Sequence, residues 1–336
     1  MGILNAIRYN RSISITSSQR DSQSSAVTTP VEALTRINLA EMLDNFGLDN
    51  LRVGRNMVER LCRAPAQILA EQAVSFDQHV GAVGLQLAAR QWLSRCVNRV
   101  DVVGASHLPA TGGVILAANH PGMTDTLAVL SSVPRSDLRL VSADRPFVRA
   151  LGHVAQRTFF VSDRSHERMT VVRQIARYIQ QGGAVLICPA GKIEPDPAVM
   201  SGGVESLQTW SDSLGLFVRL APQAVVVPTM VSGVVYAPAL RHPLTRLRCS
   251  AQNRERIAAT LQAYWQSAGR ITRHINVRVE FGQPLPAAEL NPPGTSRSAS
   301  AVTQEITNAA RYLLERLASE NTSQLPERAY RLMDTI

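Results

Sequence analysis

From Val100 onward the chain alternates two patterns, and this alternation constrains the fold more than any other feature of its 336 residues. Short apolar runs occupy 100–103, 114–118, 138–142, 159–161, 185–188 and 225–228. Helical patterns lie between them, clearest over 169–181, where Val172, Ile175, Ala176 and Ile179 share a face before Gly182-Gly183 ends it. Apolar runs of this length, uncharged but for Asp101 and Arg139, suit strands buried on both faces, and strands alternating with helices build a helix-covered sheet. We therefore expect an α/β fold: a mixed central sheet flanked by helices. Later, Ile275, Val277, Val279 and Phe281 alternate with Asn276, Arg278 and Glu280, predicting a half-exposed strand at a sheet edge.

Around this sheet the chain divides into four parts. Residues 1–29 are Ser-rich and lack a long apolar segment, so they read as a disordered tail and not as a secretory signal. Residues 30–98 form a small helical N-terminal region. Leu34, Ile37, Leu39, Met42, Leu43 and Phe46 precede Gly47, a helix stop. A second run (Val53, Met57, Val58, Leu61, Cys62) precedes Pro65, and a third holds Val80, Val83, Leu87, Trp92 and Leu93. Residues 99–290 hold the α/β domain. Residues 291–336 form a linker and a closing amphipathic helix carrying Val302, Ile306, Ala310, Leu313, Leu314 and Leu317.

Lys and Arg number 35 against 26 Asp and Glu, a net charge of +9 that suits anionic partners. No Lys/Arg block is interleaved with aromatics, which make up only 5%, so nucleic acid is not expected as a partner. Cys62, Cys96, Cys188 and Cys249 stand far apart, without disulfide or zinc spacing, which indicates a reducing, cytoplasmic compartment. No uncharged stretch reaches the ~20 residues of a spanning helix. Contact with a membrane would be peripheral, with an anionic surface.

The run at 114–118 stops at Asn119-His120-Pro121-Gly122-Met123-Thr124-Asp125. Pro121 and Gly122 break the strand, and Thr124 or Asp125 can cap a following helix. Residues five apart do not face each other on a helix, but a turn can bring the Asp125 carboxylate to the His120 ring. Such a pair fixes the imidazole tautomer and leaves one nitrogen free as a base toward a hydroxyl. Alone, this spacing also suits a buried His satisfied by a local Asp. Downstream, 159–164 is a strand ending in Asp163-Arg164, a guanidinium able to fork onto phosphate or simply a surface pair. The stretch Cys188-Pro189-Ala190-Gly191-Lys192 is a turn able to hold an anion, or only to end a strand.

In this order the stretches resemble the motifs of the glycerolipid acyltransferases, which include the 1-acylglycerol-3-phosphate and glycerol-3-phosphate acyltransferases. The family's N-H-x4-D motif is matched in full by Asn119, His120 and Asp125. Its apolar strand ending in Asp-Arg is matched by Phe160 through Arg164. Its Phe-Pro-Glu-Gly-Thr motif is matched in part, by Pro189 and Gly191, and its strand reaching Pro by Val225 to Pro228. The resemblance spans residues 98 to 285.

It implies that His120, oriented by Asp125, deprotonates an acceptor hydroxyl, which attacks the thioester of acyl-CoA or acyl-carrier protein. It implies no metal, no cofactor beyond that co-substrate, and no acyl-enzyme. Arg164 would hold the phosphate of a phosphorylated glycerol or lysolipid acceptor. Asn119, Pro189 and Gly191 would lie at the substrate, with Lys192 adding positive charge. The product would be lysophosphatidate or phosphatidate, in phospholipid synthesis. The family's Glu is replaced by Ala190. The soluble plant-type glycerol-3-phosphate acyltransferases also have a small residue there and an acid near the position of Glu194, but the Arg they carry beside the Gly is Ile193 here. Glu194 and Asp196 are alternative carboxylates whose direction the sequence does not give. Two other readings stand beside this one: the same fold acting on another hydroxyl acceptor, and a catalytically silent lipid- or acyl-carrier-binding protein.

Overall fold

The computed structural model describes residues 29–48, 54–162, 165–295, 297–319 and 328–331. Of the expected tail only Thr29 lies within these. Its hydroxyl caps helix α1 (Pro30–Phe46) by accepting from the Glu32 N–H. Gly47 ends α1 at φ +76°, where its N–H reaches the carbonyls of Asp44 and Leu43, as a left-handed stop requires.

Helix α2 (Arg55–Val83) does not stop before Pro65, as expected, but runs through it. Proline removes one backbone bond from the ladder. The buried Ala66, Ala70, Ala73, Phe76 and Val80 hold the rest of α2 in place. The expected third helix is instead split at Gly84 (φ +85°), so that Val80 and Val83 end α2, and Leu87, Trp92 and Leu93 belong to α3 (Leu85–Cys96).

The strands are β1 (Arg99–Val103), β2 (Val114–Ala118), β3 (Arg139–Ala143), β4 (Thr158–Val161), β5 (Ala184–Ile187), β6 (Val225–Ser232), β7 (Asn276–Phe281), β8 (Leu285–Pro286) and β9 (Arg328–Arg331). They form one sheet in the order β4-β3-β5-β2-β6-β7-β1-β9, with β8 against β6. From β4 to β6 all neighbours are parallel; β7 turns antiparallel to β6, pairs parallel with β1, and β9 closes the far edge antiparallel.

Both faces of the sheet are covered, which explains the uncharged run in β2. Val114, Leu116 and Ala118 pack with α1, α2, α3 and α4 (Asp125–Ser132), while Ile115 and Ala117 pack on the other face with the helices Ser165–Gln180, Ser213–Leu220 and Ala299–Ser319. Leu34, Phe76 and Val80 share a core with Val100 and Leu116, so the helical N-terminal region is built onto the sheet.

Two strands differ from expectation. β7 lies inside the sheet, between β6 and β1, and not at an edge. Its Glu280 is fully buried, with one carboxylate oxygen on Arg278 and the other on Arg316 of the closing helix. Charges neutralised by one another gave β7 the alternation of a half-exposed strand. β6 continues past Pro228 to Ser232. Pro228 falls between the stretch paired with β8 and the stretch paired with β7, where a missing N–H costs least.

Candidate active site

β2, β5 and β6 are adjacent and parallel, so the loops leaving their C-terminal ends converge. Open α/β sheets place ligands at this edge. The loop after β2 carries His120, that after β5 runs through Glu194 and Asp196, and that after β6 begins at Gly233.

Pro121 and Gly122 turn the chain so that Asp125, the first residue of α4, points back at His120. Asp125 Oδ2 accepts from His120 Nδ1 at 2.8 Å and from the Gly122 N–H at 2.9 Å. Its Oδ1 accepts from the Thr126 hydroxyl at 3.0 Å and from the Thr126 N–H. The turn is therefore closed by Asp125; Thr124, at the cap position, makes no side-chain cap bond. The Asp125 side chain is 1% exposed and that of His120 33%, so the ring alone reaches the surface. With Nδ1 facing a carboxylate it carries the proton, and no described residue bonds Nε2. The Asp125 charge holds the imidazole more basic than an ordinary histidine. Burial opposes this, while the Asp125 hydrogen bond and the Glu194 charge add to it.

Asn119, expected at the substrate, faces the fold instead. It is 3% exposed; Nδ2 donates to the Val231 carbonyl at 2.9 Å and Oδ1 accepts the Val231 N–H at 2.7 Å. Both amide atoms tie the His120 loop to β6, at a position that is almost fully buried. Pro189 is buried, with its carbonyl taken by the Ser211 N–H at 3.1 Å. Gly191 stands at φ +62°, a value that favours glycine, and its N–H closes a turn onto the Cys188 carbonyl at 3.1 Å. That donor is spent inside the turn, so of the three only Lys192 presents an uncommitted group: it is exposed and has no ion pair among the described residues. Asp163 and Arg164 lie outside the described residues. The Cys188 thiol is pushed well up by burial and by the Asp125 and Glu194 charges, which keeps it from acting as a thiolate.

The two acids left without direction by the sequence both turn inward. Glu194 is 2% exposed. Its N–H donates to the His120 carbonyl at 2.9 Å, and its Oε2 accepts the His120 N–H at 3.0 Å. Its Oε1 accepts from Trp210 Nε1 and Ser206 Oγ, each at 3.0 Å. Asp196, fully buried, accepts the N–H groups of Ala198 (3.0 Å), Gly233 (2.9 Å) and Val235 (2.8 Å). Glu194 thus fastens the loop after β5 to that after β2, and Asp196 fastens it to that after β6. Burial raises both carboxyls above their usual range. The only sequence signal for this pair was two acids spaced by Pro195 in a short turn.

What results is a partly exposed imidazole with one free nitrogen, a buried carboxylate behind it, and a rigid triple loop around it. Such a group can take a proton from a hydroxyl and return it to a leaving group.

Residues 99–232 match the family model described as Acyltransferase. Among curated proteins none matches the chain. A solved structure of the 1-acyl-sn-glycerophosphate (LPA) acyltransferase PlsC from Thermotoga maritima is similar at 17% identity and a TM-score of 0.44, covering 86% of this chain and 100% of that one. That likeness is too distant to carry substrate or mechanism.

Proposed function

We propose that this protein, whose residues 99–232 match an acyltransferase family model, moves a fatty acyl group from an acyl thioester to a hydroxyl of lysophosphatidate or glycerol-3-phosphate. The observation that carries this reading is His120 held by Asp125 at 2.8 Å with Nε2 unbonded by any described residue. Nε2 takes the acceptor's hydroxyl proton as the oxygen attacks the thioester carbonyl. The carbon–sulfur bond breaks as the tetrahedral adduct collapses, and the imidazolium returns its proton to the leaving thiolate. Asp125 stabilises the imidazolium without accepting its proton. Acyl-CoA or acyl-carrier protein supplies the thioester.

Lys192, exposed beside the turn, and Arg164 supply positive charge for a phosphorylated acceptor. The net charge of +9 supports the same choice. Among the described residues no helix is long and apolar enough to cross a membrane. Met57, Leu61 and Ile68 on α2 are 65%, 71% and 37% exposed and recur at helical spacing, with Arg60 and Arg63 exposed beside them. An apolar stripe flanked by arginines suits an anionic bilayer surface, from which a lysolipid acceptor would be drawn.

The test is thiol release from palmitoyl-CoA by purified protein with glycerol-3-phosphate, lysophosphatidate or no acceptor. Release that depends on one acceptor, with the matching acylated product, is expected. Equal release with and without acceptor would replace transfer with hydrolysis.

A further inference from the structure

Three donors meet the Glu194 carboxylate, and their arrangement gives this residue a task beyond filling the core. The His120 N–H arrives at Oε2, while the Trp210 indole N–H and the Ser206 hydroxyl arrive at Oε1. The two N–H donors are fixed by backbone and ring, and neither can turn to accept. Both carboxylate oxygens must therefore accept, which an ionised glutamate does and an amide does not. The backbone of Glu194 adds a second bond, N–H to the His120 carbonyl, so residue 120 is gripped from both sides of its Cα. Asn119 is locked at the same time by Val231. With both neighbouring peptide units held, His120 keeps only its side-chain torsions, and Asp125 fixes those.

We propose that Glu194 is the positioning residue for the base: ionised, it holds the peptide units of His120 so that Nε2 meets the acceptor hydroxyl at a fixed angle. This rests on the acyl-transfer reading above. Glu194 touches no substrate atom; it acts through His120. The groups facing it are the His120 imidazole, the Cys188 thiol, Ser206 and Trp210. A small displacement of a reacting group costs about 100-fold in rate, so a loosened His120 should lose turnover and not binding.

Glu194→Gln sets its amide N–H group against either His120 N–H or Trp210 N–H. For the folded variant we expect kcat to fall about 10- to 100-fold, with both KM values within about twofold of the parent. An NMR titration of the His120 ring should show its midpoint moved to lower pH, because one of the two anions near it is gone. Adding Trp210→Phe removes the competing donor, lets the amide oxygen turn to His120, and should recover part of kcat. Unchanged kcat in Glu194→Gln, or a loss shared equally between kcat and both KM values, would overturn the proposal. Hydrogen exchange in the parent protein keeps the test open if Glu194→Gln does not fold. The His120 amide should exchange as slowly as the amides of β2; exchange at loop rates would overturn the clamp. The titration and the exchange do not depend on turnover. If the parent transfers no acyl group, the functional reading fails while Glu194 is still judged.

Discussion

One carboxylate oxygen, Asp125 Oδ2, accepts from both His120 Nδ1 and the Gly122 N–H, so the ring tilt and the turn that makes it are fixed together. The sign of the pH effect follows from this contact. The base must be neutral to act, and Asp125 raises the His120 pKa above its ordinary value. Activity should therefore climb with pH through a midpoint above about 6.5, the usual histidine value. Asp125→Asn removes the largest cause of that shift and presents a donor where an acceptor stood, which favours the wrong tautomer. The kcat/KM profile of Asp125→Asn should have its acid midpoint at lower pH and its plateau lowered by at least about 100-fold. A profile with the parental midpoint would dissociate Asp125 from the base. At this scale the sequence was informative about His120 and Asp125, because a five-residue spacing across Pro-Gly admits few geometries. It did not show that Asn119 is tied to β6, and it named Glu194 only as a carboxylate without direction. The partners of both lie far along the chain, at Val231 and at His120 respectively, 112 and 74 residues away.

Among the elements, α2 departs furthest from its sequence pattern. The apolar runs read on either side of Pro65 suggested separate helices, yet the whole span Arg55–Val83 is one helix. Its C-terminal half is bought into the core by Ala70, Ala73, Phe76 and Val80, whereas its N-terminal half leaves Met57 and Leu61 in solvent. Strands were more legible: β2, β5 and β6 are apolar because both their faces are covered, and the sequence pattern follows directly. β7 was not, since Glu280, Arg278 and Arg316 neutralise one another inside the fold. If the exposed half of α2 seats on lipid, the protein should co-sediment with vesicles containing phosphatidylglycerol, and raising salt should weaken this. Leu61→Asp combined with Met57→Asp should cut the bound fraction about tenfold with little change in thermal unfolding, since both side chains are mostly exposed. Binding by the double variant equal to that of the parent would remove α2 from the membrane contact.

Across the whole molecule, the parallel run β4 to β6 sends its loops to one edge, and buried polar side chains bind those loops into a single frame around His120. Asn119, Glu194 and Asp196 join the ends of three strands that are distant in sequence. The alternation of apolar runs and helices was enough to foresee a helix-covered sheet, because that pattern records burial locally. It could not foresee which loops are tied together, because each tie spans separate segments and is made of ordinary polar residues. The frame leaves the partly exposed His120 ring at its centre, with no described residue bonded to Nε2. The measurement that tests the proposed base most directly is acyl transfer by His120→Ala with the acceptor that the parent uses, alongside its thermal unfolding. We predict acceptor-dependent product reduced by at least about 100-fold in a protein that unfolds at the parental temperature. Transfer within about threefold of the parent would contradict a histidine base and require another group to take the proton.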